Sequence, residues 1–245
     1  MPRFFVEQAL SPGVLVTISG EDAHHISRAL RMRPGEKITL CGPEGLPHEG
    51  ILLSLNRETV QVQMGDPLLV TGEPNVSVTL LVGMPKQDKL ALIIQKAVEL
   101  GASEIIPFSS ARTVVRLPDA GKEKLPRWQK IAREAAMQCG RGKIPRVRPV
   151  VVSFDQALAI AKESDTPLFC YEESVGTVPL SSVLNSCPLS SVSALIGPEG
   201  GFAPEEAEKA RQAGLTLVSL GSRILRCETA PLCLLSAVLY AAGEL

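Results

Sequence analysis

The sequence is poor in the features that announce several protein classes. Its 245 residues hold one tryptophan, two tyrosines and six phenylalanines. That disfavours single-strand nucleic-acid binding by stacked rings, which needs a succession of aromatic platforms. The three histidines (His24, His25, His48) and six cysteines without a Cys-x-x-Cys pair do not form a metal-ligand set, so no metal is expected. The longest weakly polar run, Ala230 to Gly243, falls short of the roughly 20 residues of a membrane span and reads as a buried helix, with no membrane partner. Met1–Val6 has neither the apolar stretch of a signal peptide nor the Arg/Ser-rich pattern of a transit peptide. A cytoplasmic protein with reduced, mostly buried cysteines is the expectation. With 45% hydrophobic and 21% charged residues, wholesale disorder is excluded.

Charge is not lacking but unevenly placed. The net charge of −1 conceals a central third, residues 71–150, with 14 basic and 7 acidic residues, against 5 and 11 in residues 151–245. Between Arg112 and Arg148 the count is 11 basic to 3 acidic. Such a cluster is the footprint of a polyanion site, or else a solvated helix face balanced by the acidic C-terminal third.

Residues 1–70 carry short β-rich runs at 14–18, 37–40, 50–55 and 59–64, separated by Gly/Pro/Asn punctuation. One helix interrupts them from about Asp22 to Met32, stopped by Pro34-Gly35. A small barrel or sandwich fits this spacing. The turn-rich stretch Val70–Asn75 reads as a linker. From Val76 onward strands alternate with helices: strands at 76–82, 104–108, 168–171, 192–196 and 215–218, helices at 89–100, 126–139, 204–213 and 230–242. That rhythm implies an α/β domain over residues 75–245 with a parallel sheet covered on both faces.

Two strand-to-helix loops stand out. Leu195-Ile196-Gly197-Pro198-Glu199-Gly200-Gly201-Phe202 has three glycines in five positions, which let backbone approach a ligand closely or form a tight structural turn. It matches neither Gly-x-Gly-x-x-Gly nor the Walker pattern, which argues against an ordinary dinucleotide or P-loop site. The second, Leu220-Gly221-Ser222-Arg223-Ile224-Leu225-Arg226-Cys227-Glu228-Thr229, sets an apolar pair between two arginines. It is either a slot for a flat ring or a loop folded into a core or subunit interface. Thr229 suits a helix N-cap, with Pro231 in the first turn. Lys86-Gln87-Asp88-Lys89, Arg112 and Gln138-Cys139-Gly140-Arg141 lie at element ends, where sites gather.

Taken in order, Met1-Pro2-Arg3-Phe4-Phe5, the run His24 to Met32, Gln95-Lys96-Ala97-Val98-Glu99-Leu100-Gly101, Gly197 to Phe202 and Leu220 to Ala230 resemble the bacterial 16S ribosomal RNA uridine-N3 methyltransferases of the SPOUT superfamily. The resemblance covers nearly the whole chain. It implies a PUA-like β-barrel RNA-binding domain over residues 1–70 and a SPOUT methyltransferase domain over 75–245 with a C-terminal trefoil knot, a rare exception to the rule against threaded chains. It further implies a homodimer acting on 16S ribosomal RNA or the small ribosomal subunit. S-adenosylmethionine would be held by Tyr171, Glu172, Leu195, Gly197, Pro198, Glu199, Gly200, Gly201, Leu220, Gly221, Ile224, Leu225, Arg226 and Thr229. Departures from the family pattern fall elsewhere: Met137 and Cys139 stand where Glu and Ser are usual, Ala111 where Glu or Ser precedes the arginine, and Pro231 for a common Ala.

Transfer of a methyl group to uracil N3 requires collinear donor and acceptor and loss of the N3 proton. Arg112 or Arg133 is expected to stabilise the developing negative charge, and Glu99 is either a base or orienter, or a structural acceptor. Phosphate contacts are expected from Lys86, Lys89, Lys122, Lys124, Lys130, Arg141, Lys143, Arg146 and Arg148, with Arg28, Arg31 and Arg33 extending the surface. Two rival readings are a knotted methyltransferase for another RNA position and a non-catalytic RNA-binding assembly factor.

Overall fold

The computed structural model describes residues 1–56, 58–69, 72–86, 88–114, 124–173, 176–186 and 188–245, without the side chains of 124–126. It divides into two compact units: Met1–Glu73 with Ala136–Ile144, and Pro74–Ala135 with Pro145–Leu245.

In the first unit the strands are β1 (Arg3–Phe5), β2 (Leu15–Ser19), β3 (Lys37–Cys41), β4 (Pro47–Leu55) and β5 (Thr59–Pro67), paired in the order β1-β3-β4-β5-β2. All pairs are antiparallel except β1 with β3. Alternation sets the inner face: Val16 and Ile18 of β2 face Val60, Val62 and Met64 of β5 in one core with Phe4, Ile38, Leu40 and Leu52. No pairing among the described residues joins β1 to β2, so of the small barrel or sandwich that the spacing allows the sheet forms a half-barrel. The expected helix at 22–32 is shorter and irregular: α1 (Gly20–His24) runs into a π-helical turn, His25–Ala29, that plugs the core with Ala23 and Ile26. It ends before Met32 because Arg31 adopts a left-handed φ of 53°.

Residues 136–144 lie outside the 1–70 boundary drawn from sequence. Met137 packs on this core, and the Arg3 guanidinium donates to the Gly140 carbonyl. The Glu73 carboxylate accepts from the Arg141 guanidinium at 2.6 Å and from the backbone N–H groups of Gly142 and Lys143 at 3.0 Å each. One carboxylate thereby gathers a loop that a linker reading of 70–75 leaves unexplained.

The second unit is built on eight parallel strands among the described residues: β6 (Ser77–Gly83), β7 (Glu104–Ser109), β8 (Arg146–Val147), β9 (Val152–Ser153), β10 (Thr166–Cys170), β11 (Val178–Pro179), β12 (Ser191–Ile196) and β13 (Thr216–Ser219). Their order is β11-β13-β10-β12-β6-β7-β8, with β9 also on β7. The central strands β6 and β12 are buried on both faces, as their near-continuous apolar runs require. The helices are α2 (Lys89–Glu99), α3 (Lys124–Cys139, its last turn counted in the first unit), α4 (Phe154–Ala161), α5 (Leu180–Leu184), α6 (Pro204–Gln212) and α7 (Thr229–Ala241). The apolar stripe of α2 (Leu90, Ile93, Ile94, Ala97, Val98) meets α7 through contacts between the two helices. Four of the six phenylalanines collect in the core under α4 and α6: Phe108, Phe154, Phe169 and Phe202.

Candidate functional site

The carboxyl ends of β6, β10, β12 and β13 point to one side of the second unit. There the loops that follow β10, β12 and β13 enclose a cavity of about 480 Å³, within the range of small-molecule sites. Three segments form its walls: Cys170-Tyr171-Glu172 after β10, Ile196–Gly201 after β12, and Ser219–Cys227 after β13. Lys89 at the start of α2 and Ala230 of α7 complete it.

Phe202 fixes the glycine loop. Its ring is 1% exposed and lies 4.1 Å from Phe169, stacks on Phe108 at 6.1 Å and leans on Phe154 at 6.0 Å. The backbone before it is pressed against neighbours: Gly201 has φ 65°, and a Cβ there would run into the Glu172 carboxylate. A Cβ on Gly200 would stand 3.1 Å from that of Arg112. The sequence therefore uses glycine where two walls approach most closely.

Lys89 ties the walls together electrostatically. Its ammonium lies 3.2 Å from Glu199 and 3.3 Å from Glu228, joining the glycine loop to the start of α7. Burial acts to raise the Glu199 pKa, but hydrogen bonds from its own backbone and the Lys86 N–H, with the Lys89 ammonium, together hold it below its ordinary value. Glu228 is held down by the Cys227 thiol donating to it at 3.2 Å, by its own backbone N–H and by Lys89. Burial and that same carboxylate push the Cys227 thiol up to about 12, so it stays neutral. Burial and the adjacent Glu173 and Glu172 raise the Tyr171 hydroxyl as well.

The third wall is looser. Gly221 (φ 111°) donates its N–H to the Ser219 hydroxyl at 3.2 Å, and Thr229 N–H reaches the Arg226 carbonyl at 2.8 Å. Between them Ile224 is 85% exposed. The arrangement can hold a flat, polar-edged molecule against backbone, with carboxylates and cations at its rim.

A family model described as an RNA methyltransferase domain matches residues 72–239, and one described as an RNA methyltransferase PUA domain matches residues 18–64. The chain belongs to this RNA methyltransferase family. It is 40% identical over 248 residues to ribosomal RNA small subunit methyltransferase E of Bacillus subtilis (strain 168), covering 98% of this chain and 96% of the relative. Among solved structures it is similar to ribosomal RNA small subunit methyltransferase E of Neisseria gonorrhoeae bound to S-adenosyl methionine, with TM-score 0.88, 31% identity and coverage of 98% and 97%. A putative methyltransferase of Legionella pneumophila, solved with its cofactor SAM, has TM-score 0.87 and 29% identity over 98% and 97% of the two chains. The N-terminal unit of this RNA methyltransferase is accordingly PUA-like, and the α/β unit carries the methyltransferase domain.

The methyltransferase cavity gathers twelve of the residues singled out for the cofactor. Leu195 is not among them: it points into the core at 0% exposure. Thr229 is also absent from the lining; it is the first helical residue of α7, and Glu228 rather than Thr229 occupies the cap position. Sequence reasoning missed Cys170, Ile196, Ser219, Ser222, Arg223, Cys227 and Ala230 as lining residues, and it placed Lys89 on a phosphate surface rather than in this wall. The alternation of strand-end residues could have flagged Cys170; Lys89 carries no local signal, because its partners lie more than 100 positions away.

Arg112 is exposed and donates through Nη1 to the Gly200 carbonyl at 3.0 Å. Arg133 is half-buried on α3. Glu99 sits at the opposite end of α2 from the cavity, about 15 Å along the helix, and both its oxygens lie 2.9 Å from the Lys96 ammonium. The fold does not bring it to the cavity of its own chain. Among the phosphate candidates, Lys86, Lys130 and Arg146 are exposed in the second unit and Arg28, Arg31, Arg33 and Lys143 in the first. Arg148 is drawn to Glu104 at 3.3 Å. Arg141 is 4% exposed and held by Glu73, which removes it from a phosphate surface. Lys122 and the side chain of Lys124 lie outside the described residues. Among the described residues no group of three metal-ligand side chains occurs, and no helix is long and apolar enough to cross a membrane.

Proposed function

We propose that the chain transfers a methyl group from S-adenosylmethionine to N3 of a uridine in 16S ribosomal RNA, acting as a homodimer in the cytoplasm. The observation that carries the reading is the cavity at the carboxyl ends of three parallel strands, walled by a glycine loop that side chains would fill. The residues present fit the methyl donor: the cavity-lining segments 197–201 and 219–222 suit an adenine edge and ribose, and Leu225 with Ile224 offers an apolar surface. Leu195 supports this wall from the core behind it, and Thr229 stands exposed at the start of α7.

When bound, S-adenosylmethionine supplies an electrophilic methyl group on a positively charged sulfonium. Tyr171-Glu172 and the glycine loop orient it and exclude water from one side. Arg112 stands beside Gly200 with its guanidinium positioned to stabilise the negative charge that N3 acquires on losing its proton to solvent. Arg133 is the second cation for that role, and Glu99 is an acceptor for Lys96. N3 lies on the pairing edge, so the target uridine is unpaired or flipped. Arg28, Arg31, Arg33, Lys86, Lys130, Lys143 and Arg146 supply phosphate contacts.

A C-terminal trefoil knot belongs to this reading. Strand β13 lies beyond β10, while α7, which follows it, packs on α2, the helix between β6 and β7 in the chain. The contact of α7 with α2 supports a course of residues 220–228 past the ends of β10 and β12. Dimerisation is supported by Ile224 and Tyr240, which expose 85% and 75% of their surface in the single chain.

Methyl-labelled S-adenosylmethionine with small ribosomal subunits, followed by nucleoside mass spectrometry, tests the function. Label in N3-methyluridine supports it. Label in another nucleoside moves the target, and its absence with a folded protein favours a non-catalytic assembly factor.

A further inference from the structure

We propose that Glu206 is a positioning residue for methyl transfer that acts through Arg112; this rests on the reading of Arg112 as the cation that stabilises the acceptor base. Glu206 lies in the first turn of α6 and is 7% exposed. A carboxylate there ordinarily serves its own helix end. Here only Oε2 does so, accepting the Ala203 N–H at 2.9 Å. Oε1 accepts the N–H of Ala111 at 2.8 Å, 95 positions earlier in the chain.

Ala203 follows the glycine loop directly and Ala111 precedes Arg112, so one buried carboxylate holds both segments, through charge-assisted bonds roughly twice as strong as neutral ones. The turn containing Ala111 is tight: Thr113 N–H reaches the Ser110 carbonyl at 3.1 Å, and Ser110 N–H reaches the Thr113 hydroxyl at 2.8 Å. Fixing Ala111 therefore fixes the backbone of Arg112, whose guanidinium is then pinned to the Gly200 carbonyl. Arg112 is held at both ends, by Glu206 at its backbone and by the cofactor wall at its tip. Loss of the Glu206 contact frees the first of these and leaves Phe202 to keep the loop in place.

The test is a double-mutant cycle between Glu206→Gln and Arg112→Ala, reading kcat on small ribosomal subunits and the Kd of S-adenosylmethionine by calorimetry. The amide keeps the size of Glu206 and retains one acceptor oxygen. We expect Glu206→Gln to lower kcat by about 10- to 100-fold while the cofactor Kd stays within about 3-fold. In the Arg112→Ala background the same substitution should change kcat by less than about 2-fold. Equal losses in both backgrounds would overturn the proposal, since Glu206 would then act independently of Arg112. A weakened Kd that accounts for the whole loss would overturn it too, leaving Glu206 a brace for the loop. If Arg112→Ala alone turns over like wild type, the reading of Arg112 falls first and the proposal with it.

Discussion

The glycine loop and the loop after β13 face each other across the same cavity, yet they are held in different ways. Residues 197–203 are clamped by a buried ring at Phe202, by the Glu206 carboxylate and by the Lys86 and Lys89 contacts to Glu199. Residues 220–226 are tied at their ends, with Ile224 and the Arg226 side chain 85% and 82% exposed. One wall is preorganised by the core and the other is held only at its ends. Preorganisation cuts the ordering cost of binding, so changes in the clamped wall should act on affinity and stability together. Changes at the tip of the open wall should leave the single chain's stability alone.

The largest expected effect comes from Gly201→Val. A β-branched residue at φ 65° meeting the Glu172 carboxylate closes the cavity, and cofactor affinity should fall by more than about 100-fold in calorimetry. Next, Phe202→Ala should cost about 3–5 kcal/mol in a urea melt, because the ring is fully enclosed by three others. Lys89→Met should weaken cofactor binding about 10-fold and leave the salt dependence of RNA binding unchanged. A phosphate contact would instead lower the salt slope by about one. Ile224→Ser should shift unfolding by less than about 0.5 kcal/mol, while light scattering reports loss of the dimer. A stability loss comparable to that of Phe202→Ala would erase the distinction between the two walls.

The Lys89 cluster also has a pH signature. Glu199 and Glu228 have folded pKa values below their ordinary 4.5, so their contribution is complete above that pH and lost as pH falls further. The Cys227 thiol, raised from 9.0 to about 12, contributes fully below pH 9 and loses that contribution as pH rises toward 12. Melting temperature should therefore show no step from this cluster between about pH 5 and 9.

The difference between the walls was only half visible in the sequence. Alternation in Val60-Gln61-Val62-Gln63-Met64 and the apolar runs of β6 and β12 report their burial directly, because side-chain period follows strand geometry. The glycines of 197–202 likewise announced close backbone approach, to a ligand or within a tight turn. Helix α4 was missed although Ser153 and Gln156 form a capping box, a signal that was there to be read. The π-helical turn at His25–Ala29 left no such trace, since its sequence reads as an ordinary amphipathic helix. Contacts between distant positions were invisible: Glu206 with Ala111, Lys89 with Glu228, and Glu73 with Arg141. That is why Lys89 and Arg141 looked like solvated phosphate ligands while the fold pairs them with carboxylates distant in the chain.

The most direct measurement is isothermal titration of the purified chain with S-adenosylmethionine, with NADH as control and Gly201→Val alongside. The account predicts one saturable site per chain for S-adenosylmethionine, none for NADH, and loss of the site in the folded variant. No saturable binding by the folded wild-type protein, or undiminished binding by Gly201→Val, would contradict it.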